Sequence, residues 1–142
     1  MQFVDMEPGD PRLASEVLPV LRELRPHLTP ESFAAIYGEA HPQGLRYTVA
    51  YVDRRCAGVA GWRIVATTAV IRKLYIDDLV TAEEHRSRGV GRALVAQLAE
   101  RAEAAGCHVL DLDSGVRRAD AHRFYMREGL TINSFHFSRA LE

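Results

Sequence analysis

His85-Arg86-Ser87-Arg88-Gly89-Val90-Gly91-Arg92-Ala93-Leu94 reads as a loop that holds a phosphate group at the start of a helix. Upstream lies a β-branched, apolar run broken by an acidic pair, Leu74-Tyr75-Ile76-Asp77-Asp78-Leu79-Val80-Thr81. Downstream, Val90, Leu94, Leu98 and Ala102 recur every four residues while Arg92, Glu100, Arg101 and Glu103 take other positions, an amphipathic helical pattern. The unit is strand, short loop, helix.

In such a unit the first backbone N–H groups of the helix lack intrahelical partners, and the helix dipole favours an anion beside them. Glycine at 89 and 91 removes side chains that would keep an oxygen-rich ligand away, and Arg86, Arg88 and Arg92 add cationic donors. Two other glycine motifs fit poorly. A dinucleotide fingerprint needs a third glycine where Leu94 stands, and a Walker-type loop needs a Gly-Lys-Ser/Thr ending that is absent.

What remains, Arg-x-x-Gly-x-Gly over Arg86 to Gly91, resembles the acyl-CoA pyrophosphate loop of the GNAT superfamily of N-acetyltransferases. His108 to Asp113 then reads as a strand, and Arg118 to Glu128 as a helix closed by Gly129. Within that helix, Ala121-His122-Arg123-Phe124-Tyr125-Met126-Arg127-Glu128-Gly129-Leu130 is similar to the GNAT segment Ala-x-x-Phe-Tyr-x-x-x-Gly-Phe. The resemblance covers Leu74 to the end of the chain. It implies an acetyl-CoA-dependent N-acetyltransferase that acts on a primary amine of a small molecule or peptide.

At 142 residues, with 47% apolar and 26% charged residues, the chain has the size and composition of one folded domain, residues 1–142. A formal net charge of −1 provides no basic field for nucleic acid. No apolar run reaches the roughly 20 residues that cross a bilayer, and the first residues lack a leader pattern, so a cytoplasmic protein without membrane partners is expected. Cys56 and Cys107 are too few for a disulfide framework or zinc site, and no histidine pair has metal-ligand spacing, so no metal is expected.

Upstream, Phe3 to Met6 reads as a strand, and Leu13, Val17, Leu21 and Leu24 form a helical stripe in which Pro19 predicts a kink or late start. Thr29-Pro30-Glu31 opens a second helix with Thr29 as its cap. Strands follow over Arg46 to Val52 and Cys56 to Val65, joined by a turn at Asp53-Arg54-Arg55. One or two further strands are expected through Ile132 and Phe135 to Phe137. The fold class is α/β, a mixed, mostly antiparallel sheet flanked by helices, and exposed terminal strands would suit a homodimer.

The implied reaction is attack of an uncharged amine on a thioester. An alkyl ammonium with a pKa near ~10.4 must first lose a proton, and the departing thiolate, whose thiol has a pKa of about 8.5, benefits from an acid. The resemblance places Tyr125 as that acid, beside the thioester sulfur. Asp77 and Asp78 are candidates for the base, with ordered water as the alternative. Regular alternation allows only one of them to face the same way as Tyr75 and Leu79, and Asp77 is preferred. The resemblance also implies that backbone groups of Leu79, Val80 and Thr81 bind the pantetheine arm as an added strand, and Arg86, Ser87, Arg88, Gly89, Val90, Gly91 and Arg92 the pyrophosphate. Arg118 stands where relatives carry Asn and would make a charged cofactor contact instead. A non-catalytic acyl-CoA-binding or regulatory module is the rival reading, and it would need neither Tyr125 nor the acidic pair.

Overall fold

A computed structural model describes all of residues 1–142. Five strands form one sheet in sequence order: β1 (Gln2–Met6), β2 (Arg46–Val52), β3 (Arg55–Thr67), β4 (Ile71–Thr81) and β5 (Val109–Leu112). The first four are antiparallel, and only β4 and β5 are parallel. The parallel pair is joined by α3 (Val90–Ala104), the crossover helix such a pair requires. The β2–β3 turn puts Asp53 and Arg54 in left-handed backbone, φ +50° and +65°, as a two-residue hairpin loop demands.

One face of the sheet is covered by the N-terminal helices. A π-helical turn over Leu13–Val17 runs directly into α1 (Leu18–Leu21), so the helix starts late and Pro19 falls in its first turn, where its missing N–H costs nothing. α2 (Pro30–Ala40) opens with Thr29 accepting from Ser32 N–H while Ser32 Oγ accepts from Thr29 N–H. Leu13, Val17, Leu21, Phe33 and Tyr37 then join Tyr47, Val49 and Val59 in the larger core. Tyr37 is 1% exposed and donates its hydroxyl to Met6 C=O at 2.6 Å.

The other face is covered by α3. Its Val90, Leu94, Leu98 and Ala102 seal a second core with Ala57, Ala60, Leu74 and Ile76. Burial of each large side chain there contributes about 1.5–3 kcal/mol as an upper bound. Gly58 decides how closely helix and sheet approach, because a Cβ there would lie 2.7 Å from Val90 Cγ1 and 2.9 Å from Leu94 Cδ1.

Two sequence expectations are corrected. The terminal strands through Ile132 and Phe135 to Phe137 do not form, and every residue from Thr131 to Glu142 is exposed without regular structure. A chain segment becomes a strand only where an edge pairs with it, and none does. The second correction concerns β4, where Gly61 pairs Asp78 but Trp62 pairs Ile76, leaving Asp77 as the extra residue of a bulge. Leu74 and Ile76 face α3, and so does Leu79. The bulge therefore sets Asp77 and Asp78 on one face, and Tyr75 and Leu79 on opposite faces.

Candidate active site

α3 begins at Gly89, whose φ of +81° is left-handed. Ser87, with φ +63°, bends the chain the same way two residues earlier. No side chain caps the helix, and its first closing bond is Ala93 N–H to Gly89 C=O at 3.0 Å. The N–H groups of Val90, Gly91 and Arg92 are left without main-chain partners, the arrangement that favours an anion. A Cβ at Gly89 would meet nothing within 4 Å, so glycine serves the backbone conformation there. Gly91 differs from the sequence reading. A Cβ at that position would lie 3.1 Å from the Phe124 ring, so its bareness admits the neighbouring helix α4 (Ala119–Arg127) as much as a ligand.

Beside this helix start the sheet opens. β4 pairs with β5 only from Lys73 to Ile76, opposite Val109 to Leu112, whereas its pairing with β3 continues to Thr81. Past Ile76 no strand pairs with β4 on the β5 side, and beyond Asp77, whose C=O accepts from Arg25 at 3.2 Å, an extended amide chain can lie along it.

These features line one cleft of about 1240 Å³. Leu79, Val80 and Thr81 form one wall, Arg86, Ser87 and Gly89 to Arg92 the helix-start end, and Arg118 and Tyr125 of the α4 segment the facing wall. Of the residues expected to hold the cofactor, only Arg88 does not line it. Arg86 also donates to Glu23 at 3.3 Å, and Glu23 accepts from Glu83 N–H at 3.0 Å, tying the segment after α1 to the loop. Glu23 and Leu24 consequently line the cleft. Nothing in their local sequence marks these two residues as cleft-lining. Phe124, Arg117, Arg127 and Glu128 were missed as well. For Phe124 and Glu128 the helical spacing of 121, 124 and 128 was the available signal.

Tyr125 is partly buried on the cleft wall. Burial raises its phenol above the ordinary 10.0, while the charge and hydrogen bond of Arg118 pull the other way. The hydroxyl is thus fully protonated at neutral pH. Asp77 and Asp78 stand outside the cleft. Asp77 is held by Arg63 through two bonds of 3.0 Å. Asp78 accepts from Arg25 Nε at 2.8 Å and from Tyr47 hydroxyl at 3.2 Å. Desolvation and the neighbouring Asp78 carboxylate push the Tyr47 phenol well above its usual range.

His122, His136 and Trp62 have structural partners. His122 Nε2 is 2.7 Å from Gly115 C=O, His136 lies 3.6 Å from Asp113, and Trp62 Nε1 donates to Thr48 at 2.9 Å. No group of three or more metal-ligating side chains gathers.

Comparison with known proteins agrees with this geometry. The model of the acetyltransferase (GNAT) family matches residues 12–130. An uncharacterized N-acetyltransferase, YhdJ of Bacillus subtilis, is 31% identical over 131 residues, 88% of this chain and 89% of that protein. The aminoalkylphosphonate N-acetyltransferase of Salmonella typhimurium is 39% identical over 66 residues, covering 46% of this chain and 43% of that one. Among solved structures, a putative acetyltransferase from Agrobacterium tumefaciens superposes with a TM-score of 0.83 at 27% identity, over 99% of this chain and 100% of that chain. The fold is shared with aminoglycoside N-acetyltransferase AAC(6')-Iy in complex with CoA, with a TM-score of 0.82 at 16% identity over 98% and 93% of the two chains.

The chain belongs to the GNAT acetyltransferase family. It is an N-acetyltransferase that uses acetyl-CoA as co-substrate.

Proposed function

We propose that the enzyme acetylates a small primary amine by direct transfer, with Tyr125 as the acid. The observation that carries this is the meeting, in one cleft, of an uncapped helix start ringed by arginines, a strand with a free main-chain edge and a protonated phenol. The pyrophosphate would take the N–H groups of Val90 to Arg92 with Arg86 and Arg118 beside them, and the pantetheine amides the edge from Leu79 to Thr81. The amine nitrogen then attacks the thioester carbonyl, the C–S bond breaks, and the thiolate takes the Tyr125 proton.

Neither carboxylate has both oxygens free, since Arg63 grips Asp77 and Arg25 and Tyr47 hold Asp78. The amine proton therefore leaves through water held by the two acids together, which the bulge sets on the same face. Those pairs also present both signs of charge, which suits an acceptor carrying an ammonium and an anionic group. The name of the Salmonella relative, an aminoalkylphosphonate enzyme, is of that kind. No helix is long and apolar enough to cross a membrane, and we assign the enzyme to the cytoplasm as a homodimer that needs neither nucleic acid nor membrane.

The test is Tyr125→Phe, assayed with acetyl-CoA and a panel of amines. Turnover should fall roughly 10²-fold or more while acetyl-CoA affinity and the melting temperature hold. In the parent enzyme the acid works while protonated, so the alkaline limb of the turnover profile should lie above the ordinary phenol value of 10.0. Wild-type turnover in the variant removes Tyr125 from the chemistry. Acetyl-CoA binding with no amine acetylated would favour the non-catalytic module.

A further inference from the structure

Glu23 is an acid that lines the cleft beside the loop arginine Arg86. Its main chain is fixed before its side chain makes any contact. Glu23 N–H donates to Val20 C=O at 3.0 Å, and the N–H groups of Leu24 and Arg25 donate to Leu21 C=O at 3.0 and 2.9 Å. This run of turns past α1 aims the carboxylate at the loop that precedes α3. Oε1 there accepts from Glu83 N–H at 3.0 Å and from Arg86 Nη2 at 3.3 Å. One main-chain N–H and one guanidinium are donors of the kind that a phosphate oxygen takes. The carboxylate thus makes, from inside the chain, the contacts of a phosphate.

The other arginines of the cleft differ. Arg92 and Arg127 share Glu128 at 3.6 and 4.0 Å, beyond hydrogen-bond reach, and Arg117 and Arg118 form no ion pair. These four keep positive charge to spare for an anion. Arg86 alone has a carboxylate to itself. Its side chain is 58% exposed, so the pair is a weak one and the guanidinium has room to turn into the cleft.

We propose that Glu23 is a positioning residue for the cofactor phosphates and acts through Arg86. In the free enzyme it holds the guanidinium. The pyrophosphate of acetyl-CoA takes the guanidinium over, and Glu23 keeps its bond to Glu83 N–H. Binding is thereby set against an internal competitor, and the site holds acetyl-CoA less tightly than its donors alone would. CoA leaves with the same phosphates, and the carboxylate recovers Arg86 as it goes. The effect of Glu23 falls on product release as well as on uptake.

This inference rests on the pyrophosphate placement proposed above and gives Glu23 a part in it. Glu23→Gln removes the charge but keeps an oxygen for Glu83 N–H, so the melting temperature should hold. Titration calorimetry with acetyl-CoA, and separately with CoA, should show both bound roughly two- to fivefold more tightly, the scale of one exposed ion pair. The same substitution made in an Arg86→Gln protein should gain less. Glu23 repels the phosphates in both backgrounds, so the difference between the gains isolates the contact that binding breaks. Equal gains would reduce Glu23 to a nearby charge and overturn the competition. Weaker binding by Glu23→Gln, or a gain for acetyl-CoA that CoA does not share, overturns it too. If Arg86→Gln fails to weaken acetyl-CoA binding even in the Glu23→Gln protein, Arg86 does not meet the phosphates, and its part in the placement falls together with the competition. Every arm reads binding, so all stand apart from the acetyltransfer assay.

Discussion

Replacing Gly58 by alanine tests whether the sheet sets the position of the helix that would hold the pyrophosphate. The new methyl would fall 2.7 Å from Val90 Cγ1 and 2.9 Å from Leu94 Cδ1, with Val80 C=O at 3.3 Å on another side. Val90 and Leu94 are 2% and 0% exposed, so neither side chain has space to swing into. The strain is relieved only by moving the start of α3 away from β3. Overpacking of one methyl in a filled core costs about 1–3 kcal/mol. At roughly 2–4 °C per kcal/mol for a domain near this size, the melting temperature should fall by roughly 2–12 °C. Because Val90 carries the first free N–H of α3, acetyl-CoA affinity should fall as well. Calorimetric melts and acetyl-CoA titrations of the two proteins measure both effects. Gly106→Ala is the control: it lies past the far end of α3 with φ +76° and nothing within 4 Å, so it should lower the melt through backbone strain and leave affinity alone. A Gly58→Ala protein that melts within about 1 °C of the parent and binds acetyl-CoA equally would refute the argument that contact at Gly58 positions the helix.

Gly89→Asp meets no neighbouring atom and should lower the melt only through its left-handed φ, as at Gly106, but it adds a negative charge where phosphates should sit, so acetyl-CoA affinity should collapse in a protein that remains folded; unchanged binding by titration calorimetry would take the loop out of the site. If the two acids hold one proton-relay water, Asp77→Asn and Asp78→Asn should each lower turnover, and the double variant should lose little more than the worse single one. Multiplicative losses would mean that they act separately. The Cys56 thiol, pushed up to about 12 by burial and then by the Glu16 charge, should resist a thiol reagent at pH 8 that labels Cys107, with the second equivalent appearing only on denaturation.

The central unit was legible in the sequence because its signals are local. Four-residue spacing from Val90 to Ala102, glycine at the helix start and an apolar run before it each describe their own segment, and β4, the loop and α3 lie where those signals put them. Pro19 marked the late start of α1 for the same reason. The site was less legible wherever long-range pairing decides. Alternation could not show that Asp77 is an extra residue, because the bulge is a property of its register with Trp62 and Gly61. Glu23 gave no sign of reaching the cleft, since its contacts to Glu83 and Arg86 span about sixty residues. Ile132 to Phe137 has the residue types of a strand but pairs with no edge, although that of β5 lies open.

The bulge has a further consequence for how the acidic pair can change. Asp77 occupies no rung of its own, so a chain lacking it would join Ile76 to Asp78 in an unbroken ladder with Trp62 and Gly61. Ile76 and Leu79 would still point at α3, and Asp78 would still meet Tyr47. The acid count in this part of the enzyme is thus adjustable by a single insertion or deletion, while substitution elsewhere along β4 would have to trade a core contact for each charge gained.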